Sequence, residues 1–306
     1  MNEQLKAAAV RLPSSTSNLG SGYDTFGIAL DRYLTASFEP GSKELTLFRD
    51  GTLAELEITK SEDLILRAFM KVFNQRAVVP RGVLRATSDI PISGGLGSSA
   101  AAVLAGHDLA LSVLDEPQDH RAAFTEAYNQ DGHGENAAAC LYGGFCAVVP
   151  SPNRPIIIPL NLSKRVGFAY AAPPKGISTR EARLVLPPRV EHLAAVLAIG
   201  RATALVRGFA QGDPDLIRIG IKDELHVPYR LPLIDGAEEA IAASYEAGAW
   251  AATISGAGSG IIAICDPENS QAISEAMLDA FRQANPSGQC VNFSATPDFE
   301  GLIRLT

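Results

Sequence analysis

Several features that mark other classes of protein are missing from this sequence of 306 residues. It has no run of lysine and arginine, and its formal charge is −8 at pH 7, so nucleic acid is not an expected partner. It has no apolar run of about 18 residues and no signal-like N-terminus, which predicts no membrane span and a cytoplasmic location. Its 4 cysteines form no CxxC pair, which predicts buried, reduced thiols instead of disulfides or zinc ligands.

The composition is typical of an ordinary globular enzyme, and the length is sufficient for two domains. Hydrophobic residues make up 46% and charged residues 20%, with 27 glycines and 19 prolines spread along the chain. Proline and turn residues concentrate between Val149 and Pro159, which predicts a boundary between domains 1–155 and 156–306. The pattern indicates an α+β first half and a small α/β sandwich in the second half. The clearest predicted helices are Asp63–Phe73, Ser98–Leu114 and Val190–Gly212.

The most informative segment is a glycine-rich turn that leads into an alanine-rich helix, from Ile90 to Gly106. Glycines in such a turn let main-chain N–H groups face an anion without interference from Cβ atoms. Ser98 and Ser99 stand at the predicted helix start, where we expect N-cap hydroxyls and the positive end of the helix dipole. The segment lacks the lysine of a P-loop. Taken alone, it is either a different phosphate-binding loop or an ordinary capped turn.

Three further segments combine small residues with groups that can bind a substrate. Pro13–Asp24 follows a predicted strand and contains Asn18 and Asp24. Gly132–Asn136 reads Gly-His-Gly-Glu-Asn and precedes a short helix. Ile254–Gly260 forms a second glycine-rich turn between apolar strands. Each has an ordinary structural explanation as a turn, but the four segments together point to one site.

In this order and spacing, the segments resemble the signature motifs of the GHMP kinase superfamily, named for galactokinase, homoserine kinase, mevalonate kinase and phosphomevalonate kinase. Pro13–Asp24 is similar to the first motif, Gly95–Ala101 to the second, and Ser255–Gly260 to the third. The resemblance implies a ribosomal protein S5 domain 2-like N-terminal domain and a ferredoxin-like C-terminal domain, with the active site between them. It also implies ATP and Mg²⁺ as cofactors, a small-molecule acceptor and a homodimer.

Within the superfamily the sequence looks most like the homoserine kinase branch, which phosphorylates the hydroxyl of L-homoserine in threonine biosynthesis. The segments around Arg183 and Arg230 carry this likeness. Two guanidinium groups suit the α-carboxylate of an amino acid, because each can donate two parallel hydrogen bonds. The resemblance therefore assigns Arg183 and Arg230 to the carboxylate, and Asn18, Asp24 and Asn136 to the amino and hydroxyl end.

The resemblance also assigns residues to the nucleotide and to the metal. His133 is interpreted either as a contact to the acceptor or as a group that orders its turn. Ser98 and one carboxylate are expected to hold the metal; Glu126 and Asp131 both fit by position, and the longer side chain of Glu126 is favoured. The residues expected at the nucleotide are Asp63, Ser93, Gly94, Gly95, Leu96, Gly97, Ser98, Ser99 and Ala100.

The sequence departs from the family pattern at the acceptor end. Glu135 stands where Asp usually precedes the asparagine, and Ser259 and Gly260 replace Pro and Thr in the third motif. These changes leave two alternatives open. One is a kinase for another small hydroxy acid or a sugar, and the other is a relative that binds nucleotide without catalysis.

Overall fold

Two β-sheets organise the chain in the computed structural model, which describes residues 5–305. The strands are β1 (Ala8–Ser17), β2 (Phe26–Glu44), β3 (Thr46–Gly51), β4 (Arg81–Ser88), β5 (Phe145–Val149), β6 (Ile156–Leu160), β7 (Gly167–Ala172), β8 (Ala251–Ile254), β9 (Ile261–Cys265), β10 (Val291–Ala295) and β11 (Ile303–Leu305). The helices are α1 (Leu64–Gln75), α2 (Ser98–Val113), α3 (His120–Asp131), α4 (Glu135–Tyr142), α5 (Thr179–Leu184), α6 (His192–Gln211), α7 (Pro214–Gly220), α8 (Val227–Arg230), α9 (Ala237–Glu246) and α10 (Ser270–Ala284).

The first sheet has seven strands and draws on both ends of the chain. Its order is β11-β1-β2-β4-β3, with β5 paired to β2 and β6 paired to β5. The boundary predicted between residues 155 and 156 separates β5 from β6, which form an antiparallel pair from Phe145–Leu160 to Val149–Ile156. The proline-rich stretch between them is therefore a turn within this sheet. The sheets divide the chain after β6, and β11 returns to the first sheet beside β1.

The second sheet has the strand order β10-β7-β9-β8. Its chain order is strand, helix, strand, strand, helix, strand, with α9 and α10 as the helices that pack on it. This is the split βαβ arrangement of a ferredoxin-like domain. The prediction of a small α/β sandwich in the second half is confirmed.

Helix α2 is the centre of the first domain. Its alanine-rich sequence lets it pack closely against α1 and β1, and most of its side chains are buried. The expectation that Ser98 and Ser99 cap it through their hydroxyls is wrong: the N-cap is Gly97, with φ 67°, and no side chain caps the helix. The helix begins at Ser98, so both serines lie in its first turn, where their side chains can face a ligand.

Helix α6 bears on the prediction that the chain has no membrane span. Within residues 5–305 it is the one helix long and apolar enough to cross a bilayer, judged by length and composition. The sequence contains no unbroken apolar run here because Arg201 and Arg207 interrupt it. In the fold, Leu205 and Phe209 of this helix are buried in the core, and Arg201 pairs with Glu224 at 2.9 Å.

The four cysteines are free and buried, as the sequence predicts. Burial raises the pKa of Cys140 and Cys146 to about 12. Both thiols therefore stay protonated at neutral pH, which makes them poor nucleophiles.

A buried ion pair fastens the last strand to α2. Asp108 accepts hydrogen bonds from Nε and Nη2 of Arg304, both at 3.0 Å, and Arg304 Nη1 donates to the Glu116 carbonyl at 2.7 Å. We expect Arg304→Ala to lower the free energy of unfolding by about 3 kcal/mol, because the Asp108 side chain, which is 2% exposed, would lose its ion-pair partner. Urea unfolding measures this. Arg282→Ala, which breaks an exposed pair with Asp279, is the control and should change stability by less than about 1 kcal/mol.

Candidate active site

A cavity of about 780 Å³ lies where the glycine-rich turns meet the Pro13–Asp24 segment and the junction of α3 and α4. One end is lined by apolar residues and the start of α1. The phosphate-binding candidate, which we call the glycine loop (residues 93–97), lies in the middle. Polar and charged side chains from both domains line the other end. The cavity therefore has room for a nucleotide and a second small molecule side by side.

The glycine loop adopts a backbone that glycine permits and other residues resist. Gly95 has φ 73° and Gly97 has φ 67°. A Cβ on Gly95 would lie 1.8 Å from the backbone oxygen of Ser255 in the third motif. The loop leads into the N-terminus of α2, so its free N–H groups and the helix dipole together favour an anion.

Of the residues predicted at the nucleotide, eight line the cavity and one does not. Gly94 turns away from it, and its carbonyl accepts a hydrogen bond from the Tyr170 hydroxyl at 2.8 Å. The Ser255 hydroxyl donates to the Gly95 carbonyl at 2.7 Å. Two side chains of the second domain therefore hold the back of the glycine loop.

We expect Tyr170→Phe to weaken ATP binding. The change removes one hydroxyl and leaves the Gly94 carbonyl without its donor, a loss worth about 1–2 kcal/mol. The KM for ATP should rise roughly tenfold, with the KM for the acceptor unchanged. Tyr245→Phe is the control, because its hydroxyl accepts from Ala252 N far from the loop. Equal effects of the two substitutions would contradict the role of Tyr170.

The end of the cavity predicted to hold the nucleotide base combines Asp63 with an apolar wall. Asp63 is the N-cap of α1, accepts a hydrogen bond from Leu66 N at 2.9 Å, and lies 3.9 Å from a guanidinium nitrogen of Arg49. It lines the cavity, as predicted. The wall is formed by Leu53, Leu56 and Ile58.

Asn18 and Asp24 both line the cavity, but they have different hydrogen-bond partners. The Asn18 amide donates to the Gly256 carbonyl at 2.6 Å and accepts from Asp24 N at 2.8 Å, so it ties the first motif to the third. Asp24 receives two hydrogen bonds from Arg183, at 2.8 and 3.0 Å. Asn18 therefore shapes the site, whereas Asp24 forms an ion pair within it.

His133 and Asn136 reach the cavity from the junction of α3 and α4. The Asn136 amide is fixed between two serines, accepting from Ser15 Oγ and donating to Ser17 Oγ, each at 2.9 Å. His133 Nδ1 lies 2.9 Å from Oε1 of Glu135. Burial acts to lower the pKa of His133, but the Glu135 carboxylate outweighs it and raises the pKa. Glu135 is buried and its Oε2 has no partner among the described residues.

The two predicted arginines differ in their surroundings. Arg183 on α5 is half exposed and paired with Asp24, and it also donates to the Tyr23 hydroxyl at 3.1 Å. Arg230 on α8 is 1% exposed, and its hydrogen bonds go to neutral acceptors such as the Ala182 carbonyl. Both line the cavity. Among the described residues, no carboxylate forms an ion pair with Arg230, in contrast to Arg183.

The structure separates the two candidate metal carboxylates. Glu126, the favoured one, does not line the main cavity; it contacts His107 Nδ1 at 2.9 Å and Lys71 Nζ at 3.3 Å. Burial acts to raise its pKa, but these two partners outweigh it and lower the pKa of Glu126. Asp131 lines the cavity, as Ser98 does, and accepts a hydrogen bond from Ser99 Oγ at 3.0 Å. Burial raises the pKa of Asp131.

Sequence reasoning missed the residues that support the site from behind. Tyr23, Ser255 and His226 lie within the predicted segments but were given no role there, and no pattern marks Tyr170. Glu135 was noticed only as a departure from the family. The wall Leu53, Leu56 and Ile58 has an apolar spacing that could have been noticed, although it lies in a segment with no regular structure.

Two family models match the chain on either side of this cavity. The model for the GHMP kinases N terminal domain matches residues 63–144, and the GHMP kinases C terminal model matches residues 205–283. Together with the glycine loop, they define a GHMP-type kinase, a phosphotransferase that uses ATP.

Individual similar proteins identify the family more narrowly than the two family models do. The chain is 35% identical over 280 residues to a homoserine kinase of Parasynechococcus marenigrum (90% of this chain, 89% of the relative), and 34% identical over 284 residues to one of Prochlorococcus marinus strain MIT 9312 (91% and 90%). The chain belongs to the homoserine kinase family. The same fold is seen in a crystal structure of homoserine kinase from Cytophaga hutchinsonii, with a TM-score of 0.82, 23% identity and coverage of 100% and 99%. Mevalonate kinase of L. major, in complex with R-mevalonate, is more distant, with a TM-score of 0.67, 14% identity and coverage of 97% and 96%.

Proposed function

We propose that this protein transfers the γ-phosphoryl group of ATP to the hydroxyl of L-homoserine, forming O-phospho-L-homoserine. One observation in particular supports L-homoserine as the acceptor. The cavity that contains the glycine loop is also lined by a buried guanidinium, Arg230, which forms no ion pair with a carboxylate within residues 5–305. Such a cation favours an anionic group on the substrate, and an amino acid supplies one carboxylate.

The charges at the acceptor end suit a zwitterion. Arg230 and Arg183 would bind the α-carboxylate, while Asp24, next to Arg183, would accept hydrogen bonds from the ammonium group. Sugars and neutral alcohols would leave Arg230 unpaired in a buried position, which is costly. This charge pattern favours an amino-acid acceptor over a sugar.

The chain's contribution to phosphoryl transfer is mainly positional. The N–H groups of the glycine loop and the first turn of α2 would hold the phosphates. Asn136, fixed by Ser15 and Ser17, would orient the acceptor hydroxyl toward the γ-phosphate. The hydroxyl proton would pass to a γ-phosphate oxygen, with His133 and Glu135 beside it.

The metal proposal rests on Ser98 and Asp131. Among residues 5–305, no group of three or more His, Cys, Asp or Glu side chains could hold a metal by itself. Mg²⁺ suits such a site, because it usually takes one or two protein ligands and completes its shell with phosphate oxygens and water. Asp131 and the Ser98 hydroxyl would hold the ion, which would neutralise phosphate charge when bound.

A substrate panel tests the function. Purified protein is incubated with Mg-ATP and one of L-homoserine, L-serine, L-threonine, mevalonate or galactose, and ADP release is coupled to NADH oxidation. We expect turnover with L-homoserine, and mass spectrometry should identify its O-phosphate. Turnover with another alcohol and none with homoserine would overturn the assignment of homoserine as the acceptor. Calorimetric binding of Mg-ATP without ADP from any alcohol would indicate a non-catalytic relative.

A homodimer stays a prediction that rests on family resemblance, and a cytoplasmic location stays a prediction from the sequence. Sedimentation equilibrium at micromolar concentration tests the dimer. A single species at the mass of one chain, 32.3 kDa, would contradict it.

A further inference from the structure

A buried polar cluster lies directly behind the acceptor end of the cavity. It consists of Asp223 and His226, whose side chains are 0% exposed, and Arg230, which is 1% exposed. Only Arg230 reaches the cavity. The proposed function uses Arg230 but gives no role to the other two, although burying two ionisable side chains so completely is unfavourable without compensation.

Arg230 is held by acceptors that carry no charge. Its Nε donates to the Ala182 carbonyl at 3.0 Å, and its Nη1 is 3.4 Å from both the Gly256 carbonyl and His226 Nδ1. Among the residues that the structure describes, no carboxylate forms an ion pair with it. These neutral contacts fix the guanidinium plane without neutralising its charge, which stays available to an anion in the cavity.

The contact between Arg230 and His226 determines the state of the imidazole. A guanidinium can only donate, so Nδ1 of His226 must offer a lone pair. The ring proton is then on Nε2, which donates to the Gly20 carbonyl at 3.1 Å and lies 3.6 Å from Asp223 Oδ2. Burial lowers the pKa of His226 to about 4, and the charge of Arg230 acts in the same direction, against Asp223. The imidazole is therefore neutral at pH 7.

Two further contacts fix the ring in this orientation. Asp223 Oδ2 accepts from the backbone N of His226 at 2.7 Å and of Val227 at 2.8 Å, which fixes the turn before α8. The Tyr23 ring stacks on the imidazole with centroids 5.0 Å apart, and the Arg230 guanidinium lies 5.2 Å from the Tyr23 centroid. The first motif and α8 thus clamp the imidazole and the guanidinium together.

We propose that His226 is a positioning residue for substrate recognition: its neutral imidazole accepts from Arg230 Nη1 and aims the guanidinium at the substrate carboxylate. The inference rests on the proposed function and deepens it. It makes the specificity for a carboxylate depend on a residue that does not touch the substrate.

A matched pair of substitutions separates this role from a structural one. In His226→Asn, the amide oxygen can take the place of Nδ1 and accept from Arg230, but the bond to Gly20 is lost. In His226→Gln, the amide nitrogen can take the place of Nε2 and donate to Gly20, but the acceptor for Arg230 is lost. Both variants are characterised by melting temperature, by kcat and by the KM values for homoserine and ATP.

We expect His226→Gln to raise the KM for homoserine roughly tenfold with little change in the KM for ATP, because one charge-assisted hydrogen bond is lost. His226→Asn should keep the KM for homoserine within about threefold of the starting protein. The reverse order would overturn the proposal, since His226 would then act through the first motif at Gly20. Equal KM values in both variants and the starting protein would overturn it as well.

A second measurement needs no substrate and uses a variant only to assign the signal. Long-range ¹H–¹⁵N spectra of the histidine rings report which nitrogen carries the proton, and loss of one signal in a His226 variant assigns it. We expect His226 to be neutral with the proton on Nε2 throughout pH 6–8. An imidazolium, or a proton on Nδ1, would overturn the proposal. Failure of the proposed function would appear separately, as an absence of homoserine-dependent ADP in the unsubstituted protein.

Discussion

Replacing Asp131 by asparagine is expected to lower kcat roughly a hundredfold or more. Of the two candidate metal carboxylates, Asp131 lines the cavity that Ser98 also lines, while Glu126 is paired with His107 and Lys71. An amide at this position has a similar shape but no charge, so it would stabilise a bound cation and the transferring phosphoryl group much less. Calorimetric titration with Mg-ADP should show weaker binding, independently of turnover.

Glu126→Gln is the matched control for Asp131→Asn, since it removes the same charge from the same helix. It should leave kcat within a few-fold and instead lower thermal stability slightly, because His107 and Lys71 lose a charged partner. The opposite pattern, with Glu126→Gln nearly inactive and Asp131→Asn active, would show that α3 rearranges when the metal and nucleotide bind.

Gly95→Ala is expected to abolish detectable ATP binding. A Cβ there would lie 1.8 Å from the Ser255 carbonyl oxygen, and the positive φ of 73° is itself unfavourable for alanine. The backbone has to move to relieve that contact, and the N–H groups of the glycine loop then lose their common direction. Isothermal calorimetry with a non-hydrolysable ATP analogue measures the effect, with circular dichroism to show that the protein is folded.

The control for Gly95→Ala is Gly248→Ala. Gly248 also has a positive φ, 99°, but a Cβ there would meet nothing within 4 Å. It should therefore show the conformational cost alone, about 1 kcal/mol of stability, with nucleotide affinity unchanged. If Gly95→Ala bound the analogue as well as Gly248→Ala, the glycine loop would not be the phosphate site.

The parts of the fold that sequence predicted are those with a local signal. Helix α2 and the hairpin of β8 and β9 follow from the spacing of apolar residues and glycines within one segment. The glycine loop was identified because its glycines are adjacent in sequence and the helix follows at once. All the predicted acceptor residues line the cavity, because each belongs to a motif whose members lie close together in the chain.

What sequence could not predict depends on contacts between distant segments. Glu126 and Asp131 are almost equally plausible in sequence, and only the pairing of Glu126 with His107 and Lys71 separates them. Tyr170 supports Gly94 across 76 positions, and no pattern near Tyr170 indicates it. Likewise, β5 pairs with β6, so the segment predicted as a domain boundary is a turn between two strands of one sheet.

The placement of β11 has a consequence for synthesis of the chain. The edge position beside β1 and the cation that neutralises buried Asp108 both come from residues 303–305. Until these residues leave the ribosome, the first sheet lacks an edge strand and Asp108 lacks its counter-ion. The first sheet therefore completes its native edge only after residues 303–305 have been synthesised, and a nascent chain arrested before residue 303 should remain sensitive to protease in the segment around β1.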